Sequence, residues 1–117
     1  MLVGQTMFSV RKGTEHRAEA ALRELNALVA GASGLRSHRV LRSFGMSPIA
    51  SALHHEEREA ELGAVHYVVQ TEWDDIEHHD EFYRGDAVAR VYAVLSSILV
   101  TGPYEVLYET LEDRVAV

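Results

Sequence analysis

Apolar and polar residues alternate at the start of the chain. From Leu2 to Arg11, Leu2, Gly4, Thr6, Phe8 and Val10 fall on one side of an extended strand and Val3, Gln5, Met7 and Ser9 on the other. Both sides are fairly apolar, which suits a strand covered on both faces. Beyond the Lys12-Gly13 turn the period lengthens. Ala18, Leu22, Leu25 and Val29 recur at helical spacing, and Thr14 stands where it can cap a helix running to about Ala30. Glu15, Glu19, Arg23 and Glu24 occupy the other face, Glu19 and Arg23 form an i,i+4 pair, and Gly31 and Gly34 supply the stop.

Leu35 to Phe44 reads as a second strand, with Arg36, His38, Arg39 and Arg42 blurring its period. Gly45 to Ala64 is irregular: Gly-Met-Ser-Pro opens a loop, and Ser51 to Leu62 has the composition of a short charged helix. A third strand, Val65 to Trp73, then runs directly into a helix. Asp74 with Glu77 three residues on has the form of a capping box, and His79, Phe82 and Tyr83 share one helical face. The helix bends or restarts at Gly85-Asp86, continues over Ala87 to Leu99, and meets a breaker at Gly102-Pro103. Tyr104 to Leu111 alternates into a final strand.

This order predicts an α+β, ferredoxin-like βαββαβ sandwich with an antiparallel sheet, in a single domain over 1–117. Residues 45–64 form an insert or lid and 112–117 a tail. Two helices cover one sheet face, so the apolar residues on the other face predict a second subunit and a homodimer.

Composition narrows the chemistry. The 117 residues, 47% hydrophobic and 25% charged, describe an ordinary globular domain. The longest apolar stretch, Val91 to Val100, is far short of the roughly 20 residues of a membrane helix, and the first residues lack a secretory pattern, so the expected address is the cytoplasm. Zero cysteines exclude disulfides, thiolate metal sites and a cysteine nucleophile. A net charge of -7 with dispersed arginines argues against nucleic acid. Small molecules and self-association remain.

Three stretches carry a resemblance: Phe8-Ser-Val-Arg-Lys-Gly-Thr, Gly34-Leu-Arg-Ser-His-Arg-Val-Leu-Arg-Ser, and Thr71-Glu-Trp-Asp-Asp-Ile-Glu-His-His-Asp-Glu-Phe-Tyr. With them the chain resembles the antibiotic biosynthesis monooxygenase family of dimeric α/β barrels. The resemblance implies two sheets paired back to back, and a cofactor-independent monooxygenase acting with dioxygen on an aromatic or polyketide-like substrate. Other relatives of this kind bind or degrade haem. That branch uses an asparagine, a tryptophan and a histidine at places matched here by Thr6, Phe82 and Tyr92, and none keeps the expected type. A non-catalytic small-ligand or haem-handling barrel is therefore the alternative.

Cofactor-free oxygenation requires removal of a phenolic or enolic proton in a dry pocket. His79 is the candidate base, because an imidazole titrates near neutral pH; a histidine that simply packs, or sits solvated beside His78, is the more ordinary alternative. Thr6, Tyr67, Tyr83 and Tyr92 are candidates to orient a substrate oxygen, and Trp73 and Phe82 to form apolar walls, with core packing the alternative for each. His54-His55-Glu56-Glu57 and His78-His79-Asp80 lack the i,i+4 histidine pair of a zinc helix, so no metal site is expected. The charged run from His54 to Glu61 reads as a solvent-facing lid.

Overall fold

The computed structural model describes residues 1–45 and 63–114. Most of the expected insert, with His54 to Glu61, and the end of the tail lie outside the described residues. The elements are β1 (Leu2–Val10), α1 (Glu15–Val29), β2 (Leu35–Arg42), β3 (Val65–Trp73), α2 (Ile76–Tyr83), α3 (Asp86–Val94), a 3₁₀ turn (Leu95–Ser97) and β4 (Leu99–Glu109). The four strands form one antiparallel sheet in the order β2-β3-β1-β4. This is the ferredoxin-like α+β arrangement expected from the pattern.

Strand register fixes the two faces. Gly4 lies opposite Thr71, Thr6 opposite Val69 and Phe8 opposite Tyr67, while Thr6 also faces Glu105 across β4. The Gly4, Thr6, Phe8 and Val10 side of β1 therefore meets the helices. Ala18, Ala21, Leu22, Leu25 and Val29 of α1, with Val88, Val91, Leu95 and Ile98, bury their side chains against Phe8, Val10, Tyr67 and Val69. Phe8 and Tyr67 stack with centroids 5.4 Å apart.

The other sheet face carries no helix among the described residues. Its rows run Tyr108, Val3, Glu72, then Val106, Gln5, Gln70, then Tyr104, Met7, Val68, Leu41. Tyr104 is 55% exposed, and Leu41, Val106 and Tyr108 are also open to solvent. Gln5 and Gln70 are joined at 3.1 Å between these apolar rows.

Local chemistry corrects several expectations. The Thr14 hydroxyl donates to the Arg11 carbonyl rather than capping α1, and it is the Glu15 carboxylate that accepts from the Gly13 N–H. Glu19 accepts from Arg42 and Tyr67, both at 2.8 Å, instead of pairing along the helix with Arg23. The cap of α2 is Asp75, one residue later than expected; Asp74 pairs with Arg36 on β2. β2 ends at Arg42, short of Phe44. α3 stops at Val94, and β4 begins at Leu99 and runs through Gly102-Pro103. β4 is an edge strand, where a proline costs no ladder hydrogen bond, and Gly102 adopts a φ of 82° with its Cα against the Met7 carbonyl, where a Cβ would come within 2.5 Å.

Candidate active site

The junction after β3 builds one wall. The Asp75 side chain accepts the His78 N–H at 2.9 Å and also meets the His78 ring, and these donors hold its carboxyl below the usual range. The Asp74 N–H donates to the Gly34 carbonyl at 2.9 Å, locking the start of β2 to the start of α2. Gly34 is required there: its φ is 79°, and a Cβ would lie 2.3 Å from His78 Cγ.

Once α2 starts at Ile76, its geometry aims His79, Phe82 and Tyr83 together at the sheet. His79 and Tyr83 have centroids 4.7 Å apart, Phe82 and Tyr83 5.1 Å. Trp73, wholly buried at the end of β3, meets His79 edge-on at 5.9 Å and Phe82 at 5.6 Å. The expected aromatic and imidazole cluster is thus assembled.

His79 is held at both nitrogens. Nε2 lies 2.6 Å from Glu105 Oε1 and Nδ1 lies 2.9 Å from Asp80 Oδ1. The His79 side chain is 7% exposed, Glu105 20% and Asp80 47%, so the three run from interior to solvent. Two ionised carboxylates accept only, and a neutral imidazole donates once. Both contacts are satisfied only when the three groups hold one proton more than that state supplies. Neither ring nitrogen has a lone pair turned towards an open site.

The second oxygen of Glu105, Oε2, faces β1. Thr6 Oγ1 donates to Oε2 at 3.4 Å, and Gly4 leaves the space that this oxygen occupies: a Cβ on Gly4 would fall 2.6 Å from Glu105 Oε2 and 3.0 Å from Thr71 Oγ1. Tyr83 and Tyr92 reach the same place from α2 and α3. Burial, then the neighbouring Tyr92 and Glu105, raise the Tyr83 phenol well above its ordinary value, with Thr6 and Thr71 opposing. Burial pushes the Tyr92 phenol up to about 12, with Thr6 opposing and Glu105 adding to it. Both are neutral O–H donors at physiological pH.

Several polar atoms here lack a normal hydrogen bond. Among the described residues the buried, unpartnered side-chain atoms are Thr71 Oγ1, Trp73 Nε1, Tyr92 Oη and, on β2, His38 Nε2. The first three belong to β3 and α3, the strand and helix that carry Trp73 and Tyr92. Leaving a buried donor or acceptor unpaired costs about 1–3 kcal/mol, and a polar ligand placed there would recover it.

The structure therefore brings together Thr6, Trp73, His79, Phe82, Tyr83 and Tyr92. It places Tyr67 elsewhere: that residue faces the helices, but its hydroxyl is committed to Glu19 beneath α1 and its ring to Phe8. Burial and the Glu19 contact raise its phenol far above the ordinary value. Glu105 and Asp80 were missed by sequence reasoning. For Asp80, adjacency to His79 was the available signal; for Glu105 there was none, because the apolar alternation of β4 falls on Tyr104, Val106 and Tyr108.

The three raised phenols set an alkaline limit. Each is neutral in the fold and titrates near 10 when unfolded, so its contribution is present below pH 10 and is lost as pH rises from 10 towards 12 and above. Urea midpoints measured across that range are expected to fall, and Tyr92→Phe to flatten the decline.

No family model and no curated protein matches the sequence. Solved structures do match. A protein from Deinococcus radiodurans assigned as an antibiotic biosynthesis monooxygenase superposes with a TM-score of 0.74, at 13% identity, over 100% of this chain and 99% of its own. A Nitrosomonas europaea protein with the same assignment gives 0.69 at 12% identity, over 96% and 100%. The chain has the fold of these two proteins. SnoaB from Streptomyces nogalater, described as a cofactor-independent oxygenase, shares this fold with a TM-score of 0.66 at 12% identity, over 96% of this chain and 94% of SnoaB. No helix among the described residues is long and apolar enough to cross a membrane.

Haem does not fit the residues present. Both His79 nitrogens are taken by carboxylates, and Tyr92, at the place matched to the iron-ligating histidine, is a neutral phenol held up to about 12. Thr6 is turned to Glu105. The described residues also contain no cluster of three or more histidine or acidic side chains suited to a metal ion.

Proposed function

We propose that the protein is a cofactor-independent monooxygenase acting on a small aromatic or polyketide-like phenol or enol. The observation that carries this reading is a half-buried carboxylate, backed by a buried imidazole, beside two neutral tyrosine hydroxyls. Glu105 Oε2 takes the substrate proton, with His79 behind it, so the base expected at His79 is shared by the pair. Tyr83 and Tyr92 donate to the oxygen on which negative charge develops. Trp73 and Phe82 supply flat apolar walls.

The deprotonated substrate is the electron donor to dioxygen. A carbon–oxygen bond forms at the electron-rich carbon, and the resulting hydroperoxide loses water. One oxygen atom stays as a carbonyl and the other leaves as water, so a CH₂ group plus O₂ becomes C=O plus H₂O. The proton held by Glu105 is returned when water departs. SnoaB, with its description as a cofactor-independent oxygenase on the same fold, supports this class of chemistry.

The test is dioxygen uptake with a panel of hydroquinones and anthrones, using protein freed of metal by chelation. Substrate-dependent uptake is expected, with the new product oxygen derived from dioxygen and none from water. If members of the panel raise the melting temperature without uptake, the site is a binding pocket and not a catalyst.

A homodimer completes the reading. The face bearing Val3, Met7, Leu41, Val68, Tyr104, Val106 and Tyr108 is too apolar to suit solvent and is suited to a second sheet. Light scattering at micromolar concentration is expected to give twice the chain mass, and Val106→Lys, on this face of an edge strand, to shift it towards one.

A further inference from the structure

The proposed reaction uses Glu105 and His79 but assigns nothing to Asp80. We infer that Asp80 is a positioning residue that fixes the imidazole of His79 and keeps the additional proton of the chain on the ring, so that Glu105 stays ionised. This rests on the oxygenase reading for its kinetic consequence, and on geometry alone for the state of the ring.

The chain is linear. Asp80 Oδ1 meets Nδ1 at 2.9 Å and Glu105 Oε1 meets Nε2 at 2.6 Å, so the ring joins a half-exposed carboxylate to a largely buried one. Among the described residues, the groups that meet the imidazole are Asp80 and Tyr83 of α2, Trp73 of β3 and Glu105 of β4. Tyr83 is neutral and Trp73 carries no charge, which leaves the two carboxylates as the charges against the ring.

Those two charges divide the labour. Glu105 alone, beside a neutral imidazole, would either accept one N–H or take the proton itself. In the second case it would be a carboxylic acid, unable to receive a proton from substrate. Asp80 adds a second negative charge on the far side of the ring and accepts the Nδ1 hydrogen. It therefore favours the arrangement with both ring nitrogens protonated and Glu105 ionised. Asp80 also prevents ring rotation, because turning the imidazole by 180° about its bond to Cβ breaks both contacts. The partial exposure of Asp80 gives the buried pair a point of contact with water through which its proton count re-equilibrates.

The arrangement explains why consecutive residues on α2 have opposite burial. His79 points to the sheet and Asp80 lies at the solvent margin, so the helix needs no second element to bring a carboxylate to Nδ1. Its relation to His79 is that of an orienting acid to an imidazole in other catalytic chains.

The deciding experiment is nitrogen-detected resonance spectroscopy of the full-length protein with labelled histidine, assigned by loss of the signal in His79→Gln. At neutral pH both wild-type ring nitrogens are expected to carry hydrogen. In Asp80→Ala the ring is expected to become neutral with one bare nitrogen, and Asp80→Glu to restore two protons in part. A wild-type ring found neutral, or one unchanged in Asp80→Ala, overturns the inference. The kinetic arm uses the hydroquinone and anthrone panel. Asp80→Ala is expected to lower kcat about 10- to 100-fold with KM nearly constant, and added formate to recover part of the loss. A change confined to KM, or no recovery with formate and none in Asp80→Glu, overturns it as well. If the wild-type protein consumes no dioxygen, the oxygenase reading fails and the ring spectra alone decide whether Asp80 sets the proton count.

Discussion

Glu105→Gln is expected to reduce dioxygen uptake by about 10²- to 10⁴-fold, the range that a positioned general base contributes, while the protein stays folded. Glutamine has the size of glutamate, so it fits the slot left by Gly4 and its amide oxygen can still accept from His79. It has no basic oxygen for a substrate proton. The variant also removes a negative charge that raises the Tyr83 and Tyr92 phenols, so the onset of ionisation of these two buried phenols, the late part of the tyrosinate absorbance, should move to lower pH. This second readout shows that the substitution has reached the intended place. Full activity with a lowered onset would move the base away from Glu105; an unchanged onset would dispute the geometry itself.

Trp73→Ala should produce the largest loss of stability among single substitutions at the site, about 3–5 kcal/mol. The indole is wholly buried and packs against His79, Phe82 and Tyr83, so its removal leaves a cavity between β3 and α2. Against a total of about 5–15 kcal/mol for a domain of this size, much of the margin is lost. Trp73→Phe separates packing from chemistry. It keeps an aromatic ring and removes Nε1, which has no hydrogen-bond partner among the described residues. Denaturant melts should show a far smaller loss than for alanine. If that N–H serves the substrate, KM rises in the phenylalanine variant; if KM is unchanged, the indole is a wall only.

Much of the architecture was legible because strong periods coincide with elements. The run from Val65 to Trp73 alternates cleanly and is the third strand, residue for residue. His79, Phe82 and Tyr83 share a face because three- and four-residue spacings must do so on a helix. Errors arose where one residue type has two physical roles. Asp74 and Asp75 can each cap a helix, and the pairing of Asp74 with Arg36, distant in sequence, leaves the cap to Asp75. Gly102-Pro103 breaks helices but is tolerated on an edge strand, and strand order is not written locally. Glu105 was hidden for a similar reason. Tyr104, Val106 and Tyr108 make one side of β4 look like the core side, which relegates Glu105 to solvent. In the fold those apolar residues lie on the helix-free face, and Glu105 turns inward to His79.

The helix-facing side of the sheet is divided along its length. Phe8, Val10, Tyr67 and Val69 lie under α1 with their polar atoms satisfied, whereas Thr6, Thr71 and Glu105 lie towards α2 and α3 beside unpaired hydroxyls. Folding and chemistry thus draw on different ends of the same strands. A lineage carrying this chain could exchange Thr6, Thr71 or Tyr92 for other small or aromatic residues and alter what the site accepts, while the greasy end under α1 kept the molecule intact.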